Sequence, residues 1–448
     1  MEAPIALRCW RGLYAVLLLL ARPWVHLRLK LRARRDPEYG RRIEERFGHL
    51  DPDLPKGAVW FHTVSAGETI AAAPIIARLA ETFPEQPVLV TTMTPTGSAQ
   101  VQARLMEPLD NRIAHVYAPY DFPDALRRFF SALEPCLLVL METELWPNML
   151  RLASERQVPA LLVNARLSER SARGYGRIGP LTADMLARLK FIACQYPDHA
   201  ERFLALGAPA DRVGALGSVK FDVELPPDHE ARVAALRQDW AIGDRPVWIA
   251  GSTHAGEETV VLEAHGMLKA QFPEALLVLA PRHPERRDAV AQLIDEAGFS
   301  QGRLSHGDAV PGVDVLLADT MGELLYLYGF SQVAFLGGSL VSVGGHNPIE
   351  AAICAQPLVM GPETFNFPDV VAAFSDAGCL TLVQDARSLA DVIAGHLGDQ
   401  ALREELGRKA EQVVARNRGA TARLEKLLSA ELQALGARHT PPPDSKRA

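Results

Sequence analysis

The sequence predicts an α/β protein built of two doubly wound domains, on three observations. The chain has 448 residues, more than one ordinary core holds, so two domains of roughly 180 to 200 residues each are the expected division. From Lys56 onward, short apolar β-rich runs alternate with amphipathic helical stretches, the pattern of parallel sheets covered on both faces. That alternation breaks once, around "LGSVKFDVELPPDHE" at residues 216–230, and then restarts. A composition of 48% hydrophobic and 23% charged residues is globular and excludes a mostly disordered chain.

The elements follow in order. Residues 1–35 hold Arg8, Arg11, Arg22, Arg28, Lys30, Arg32, Arg34 and Arg35 against the single acid Glu2, so the overall charge of −7 conceals a strongly basic start. Within this segment "LYAVLLLLA", Leu13 to Ala21, falls well short of the ~20 apolar residues that span a bilayer. A secretory signal has a similar outline, but Trp24, His26 and a basic run stand where a small-residue cleavage site would be. A helix lying on an anionic membrane face is expected, with Trp10, Tyr14 and Trp24 at the interface and each cation adding about 1 kcal/mol. The competing reading is a basic helix packed on the protein body.

Strand candidates of the first series begin at 58 ("AVWFHTV"), 87 ("PVLVTTM"), 112 ("RIAHVYAP"), 136 ("CLLVLME"), 160 ("ALLVNARL") and 190 ("KFIACQ"). The second series comprises "PVWIAGS" at 246, "ALLVLAPR" at 275, "DVLLAD" at 314, "VAFLGGS" at 333 and "PLVMGP" at 357. The expected divisions are 1–35, 36–218, 219–435 and a solvated tail, 436–448, ending in "TPPPDSKRA". Cys9, Cys136, Cys194, Cys354 and Cys379 lack CxxC spacing and read as reduced packing residues rather than a disulfide framework or a zinc site.

In such sheets ligands bind outside the carboxyl ends of the strands, and the chemically suggestive motifs all lie at such ends. In "VSAGET", Ser65 followed three residues later by Glu68 has the spacing of a capping box. The turn is written twice, because "VWFHTVSAGET" from Val59 is echoed by "VWIAGSTHAGEET" from Val247. "LMETELWPNML" ends a buried apolar strand with Glu142 and Glu144, a site candidate, and "VNARLSERS" places Asn164, Arg166 and Ser168 alike. "GSVKFD" sets Lys220 on the interdomain connection, either solvated or facing a cleft.

In the second series "APRHPER" brings His283 and Arg282, whose planar fork suits phosphate, although a solvated basic turn reads the same. "DTMGEL" opens a helix with Met321, Gly322 and Glu323; its amides suit an anion, or Glu323 merely complements the dipole. In "FLGGSLVSVGGHNPIEAAICAQPLVMGP" the glycines permit close backbone approach, with Asn347 expected as N-cap and Pro348 as first helical residue. Glu350, expected third in that helix, either caps it or accepts two ribose hydroxyl hydrogens. This glycine-rich segment contains neither GK[ST] nor GxGxxG, which removes support from ATP and hydride-transfer cofactors.

Together "VSAGE", "METELWPN", "NARLSERS", "GSVKFD", "AGSTHAGEE", "PRHPER", "TMGEL" and "GGHNPIE" occur in an order and spacing that resembles the 3-deoxy-D-manno-octulosonic acid (Kdo) transferases of Gram-negative lipopolysaccharide synthesis, over about residues 10–425. The resemblance implies a GT-B glycosyltransferase, with the acceptor on the first Rossmann-like domain and the nucleotide sugar on the second, across a cleft. It implies inverting transfer of Kdo from CMP-Kdo to the glucosamine disaccharide of a lipid A precursor (lipid IVA), at the cytoplasmic side of the inner membrane. By the same resemblance Glu68 is the general base, and Glu142 and Lys220 stabilise the transition state. CMP contacts fall on Pro281, Arg282, Met321, Gly322, Glu323, Asn347, Pro348, Ile349 and Glu350, and Glu257 is mainly structural. A base must be ionised at pH 7, so Glu68 is expected partly solvated with a pKa near ~4.3. CMP-Kdo has a single phosphate and no DxD string stands where a metal would bridge a diphosphate, so neither metal nor another cofactor is expected. No nucleic-acid partner is expected. A UDP-sugar enzyme, an epimerase and a non-enzymatic scaffold remain alternatives on this fold.

Overall fold

A computed structural model describes residues 4–109, 112–307 and 312–439. The chain divides into two compact units, one running to Val219 and resuming at Gly419, the other Lys220–Arg418. Among the described residues each unit is built on one parallel sheet of seven strands.

The first sheet comprises β1 (Val59–His62), β2 (Val88–Thr92), β3 (Ile113–Tyr117), β4 (Leu137–Met141), β5 (Ala160–Ala165), β6 (Phe191–Cys194) and β7 (Val213–Ala215), in the order β3-β2-β1-β4-β5-β6-β7. Runs such as Leu137–Met141 are apolar at every position because both faces are covered. Alternate residues of β1 serve opposite cores: Trp60 packs with Phe129 and Phe130, while Val59 and Phe61 pack with Ile75 and Ile76. Strand order reverses between β1 and β4, the crevice where such sheets bind ligands. Glu68 follows one of those strands and Glu142 the other.

The second sheet comprises β8 (Val247–Thr253), β9 (Leu276–Pro281), β10 (Gln301–Arg303), β11 (Val315–Leu317), β12 (Val333–Leu336), β13 (Leu358–Met360) and β14 (Leu380–Leu382), in the order β10-β11-β9-β8-β12-β13-β14. Here the reversal lies between β8 and β12, so the second copy of the turn and the glycine-rich segment adjoin. The expectation of two doubly wound domains of a GT-B-like fold thus stands. β7, β10 and β14 do not stand out in the sequence; unlike the equally short but wholly buried β11 and β13, each buries at most one of its three residues, so no apolar run marks it.

Two expected divisions are corrected. The second unit ends at Arg418, not at 435, because helix Ala420–His439 returns to the first unit. Leu424, Leu428 and Leu432, spaced by four, put one helical stripe into the core that holds Ile75 and Ile76. That helix also overruns the tail expected from 436; residues 440–448 lie outside the described residues.

The N-terminal segment is a single helix, Ile5–Arg35. One face is docked on the first unit: Tyr14 donates to Asp121 (2.8 Å), Arg11 and Arg22 pair with Asp184 and Asp124, and His26 stacks on Phe47. The other face leaves Leu13, Val16, Leu17, Leu19, Leu20, Trp24, Leu27 and Leu31 exposed. Among the described residues no helix is long and apolar enough to cross a membrane. Cys9 on this helix is exposed, so it is not a packing residue.

Candidate functional sites at the two sheet reversals

In the first unit, Ser65 ends the extended chain after β1 and accepts a hydrogen bond from the Glu68 amide at 3.3 Å, capping helix Ala66–Thr82. The reciprocal half departs from a capping box. The Glu68 carboxylate accepts from the Val64 amide (2.8 Å) and from the Ser65 hydroxyl (2.9 Å), not from the Ser65 amide. Glu68 is only 8% exposed. Burial, reinforced by Glu144 and Glu142, raises its pKa to about 8 against the hydrogen bonds from Val64 and Ser65. The expected partly solvated carboxylate, ionised at pH 7, is therefore corrected: in the free protein Glu68 is mostly protonated there.

Glu142 and Glu144 come from the other side of the reversal. Glu142 sits at φ 53°, a left-handed conformation costing ~1–3 kcal/mol that kinks the chain out of β4. Its amide still donates to Val163 and its carbonyl accepts from Arg166, so the kink is braced on the chain leaving β5. Glu144 accepts from the Trp146 indole at 2.7 Å, and burial lifts its pKa despite that bond. Three carboxylates thus share a half-dry corner, with Trp146 edge-on to the wholly buried, neutral His62.

In the second unit Pro281, Arg282, Met321 and Gly322 line one cavity with Ser252 and Leu324. Glu323 is the N-cap of helix Leu324–Phe330 and lies 3.7 Å from Arg232. Helix Ile349–Ile353 starts one residue later than expected: Pro348 is its N-cap and Glu350 its second residue. The Asn347 side chain accepts from the Ile349 amide, so it still caps, from outside the helix. Lys220 opens this unit, half-buried, with its ammonium 5.1 Å from the Phe367 ring centre.

The second copy of the turn is built differently. Helix Glu257–Lys269 starts from Gly256 at φ 93°, and Glu257 is fully buried. Its carboxylate accepts from four backbone amides, those of His254, Gly338, Ser339 and Leu340, at 2.6–3.0 Å. The approach needs Gly337, since a Cβ there would lie 2.5 Å from the Ser252 carbonyl oxygen. Sequence reading missed His254 and His346, whose Nε2 atoms are 2.8 Å apart. One histidine in each of the two turns, "STHAGEE" and "GGHNP", was the available signal.

The family model for 3-deoxy-D-manno-octulosonic-acid transferase (kdotransferase) matches residues 41–223. A 3-deoxy-D-manno-octulosonic acid transferase of Haemophilus influenzae is 37% identical over 428 residues, 95% of this chain and 99% of its own. One of Bordetella pertussis is 38% identical over 425 residues, 92% and 97% of the two chains. Among solved structures, a glycosyltransferase of Rickettsia africae superposes with a TM-score of 0.55 at 13% identity, covering 85% of this chain and 99% of that one, which bears on the fold alone.

Proposed function

Because the chain belongs to the 3-deoxy-D-manno-octulosonic acid (Kdo) transferase family, we propose that it moves Kdo, with inversion, from CMP-Kdo to the glucosamine disaccharide of a lipid A precursor. The observation that carries the mechanism is the state of Glu68. A carboxyl group whose pKa lies near 8 is a stronger base than an ordinary glutamate and is matched to neutral pH. Glu68 takes the acceptor hydroxyl proton as that oxygen bonds to the anomeric carbon of Kdo. The bond from that carbon to the phosphate oxygen breaks, and its electron pair leaves with CMP. Glu142 faces the positive charge growing on the anomeric carbon, while Lys220, Arg282 and the amides of the 321–323 turn meet the charge on the departing phosphate. Pro281 and the Asn347, Pro348, Ile349, Glu350 turn complete the nucleotide contacts, with Glu350 accepting from the ribose.

A single phosphate needs no bridging metal, so a chelator leaves the rate unchanged. The enzyme works on the cytoplasmic face of the inner membrane; the exposed leucines of the N-terminal helix and the cations among them support contact with an anionic surface. Leu19→Glu with Leu20→Glu should then abolish flotation with anionic vesicles, and full flotation contradicts that contact. The reaction is tested with purified enzyme, CMP-Kdo and a tetraacylated lipid A precursor. A product heavier by Kdo is expected, with thermal protection by CMP and not by UDP; no mass gain, or protection by UDP alone, contradicts the reading.

A further inference from the structure

The loops after β8 and β12 are held together by more than Glu257. His254 follows β8 directly, and His346 ends the glycine segment that follows β12. Their imidazoles lie edge to edge and nearly coplanar, with planes 6° apart and centroids 5.1 Å apart, joined by the 2.8 Å Nε2 to Nε2 hydrogen bond. The Glu257 carboxylate fixes the His254 amide, and the His346 amide donates to Gly337, so both rings hang from an immobilised backbone. Both are half-buried, with an edge still reachable. His283 stands edge-on to His254 at 5.3 Å, beside Arg282.

The protons of such a pair can be counted. With one proton between the Nε2 atoms, the ring that accepts it carries its own hydrogen on Nδ1, and the ring that donates it has a bare Nδ1. The neutral pair therefore offers one N–H donor outside itself. A proton added to the bare Nδ1 makes an imidazolium–imidazole pair with two such donors and a positive charge. Burial, then His254, Arg282 and His283, push the His346 pKa down to about 4. For His254, burial, His283 and Arg286 lower the pKa against the pull of Glu257 and Glu258. Without a ligand the pair is neutral at pH 7, amid cations whose field an anion would cancel.

We propose that the His254–His346 pair is the oxyanion receptor of the donor site and takes up a proton as the anion binds. The oxyanion is the donor phosphate or the carboxylate of its sugar acid. The inference rests on the reading of the second unit as the CMP-Kdo unit. It gives both histidines a role that Arg282 cannot fill, since a guanidinium holds its charge with or without ligand.

Isothermal titration of the full-length enzyme at pH about 6.5, in buffers of different ionisation enthalpy, counts the protons taken up. Cytidine 5′-methylphosphate presents a phosphate that does not titrate in this range, and free Kdo presents the carboxylate. Wild type should take up a fraction of a proton with one of the two, which identifies the anion, and lose affinity by up to about tenfold per pH unit above that point. His254→Asn and His346→Asn, each checked by thermal unfolding, should both abolish the uptake and flatten the pH dependence. An equal loss of affinity at every pH with uptake retained would show the pair to be structural and overturn the proposal, as would binding without uptake by wild type. If neither ligand nor CMP binds at all, the donor reading itself falls, and this inference with it.

Discussion

The two copies of one strand-to-helix turn, Ser65–Glu68 and His254–Glu257, begin from nearly the same string and end as opposite electrostatic objects. Glu257 has four backbone amides on its two oxygens, enough hydrogen bonds to hold a carboxylate without water. Glu68 is buried with only one amide and one hydroxyl on its carboxylate and with Glu144 and Glu142 nearby, so burial leaves its charge undercompensated and its pKa climbs to about 8. The first arrangement makes a clamp and the second a base. Acid in a buried turn does not define a site; the balance of donors around it does.

That contrast can be broken in several ways. Glu68→Ala has the largest expected effect on turnover: single-turnover transfer falls by about 10²–10⁴-fold, with CMP affinity unchanged. Retained activity would remove Glu68 as base. Glu257→Ala should act on the fold instead, since each stranded buried amide costs about 1–3 kcal/mol. Calorimetry should show a lowered Tm that CMP partly restores, and an unchanged Tm would refute the clamp. A smaller effect is on stability against pH. Between the ordinary glutamate pKa and about 8 the folded protein holds a proton on Glu68 that the unfolded chain lacks, so this group's contribution to stability falls as pH rises through that window. Glu68→Gln should remove that decline, measured by denaturant unfolding on both sides of it. Smallest is Glu144→Gln: with one neighbouring charge gone, the activity limb set by Glu68 moves to lower pH, and a shift to higher pH contradicts the assignment.

Much of this was legible in the sequence. The buried runs of β4 and β9 announced themselves because strands covered on both faces are apolar throughout, and the capping-box spacing at Ser65 located the helix start correctly. The return of helix Ala420–His439 was not legible, since a leucine stripe states that a helix packs but not on which unit. Nor was the state of Glu68. The string "SAGE" shows a carboxylate after a strand, whereas its protonation depends first on its burial in the folded chain and then on Glu144 and Glu142, more than seventy residues away in sequence. The histidine pair escaped for the same reason, because its two halves are brought together only when β12 lies beside β8.

The most direct test is the pH dependence of kcat/KM for transfer by the wild-type enzyme. A buried Glu68 acting as base predicts a rate that climbs through neutrality and levels off above about 8, with the climb absent from the residual activity of Glu68→Gln. A profile already level at pH ~6, as an ordinary solvated glutamate would give, contradicts the account.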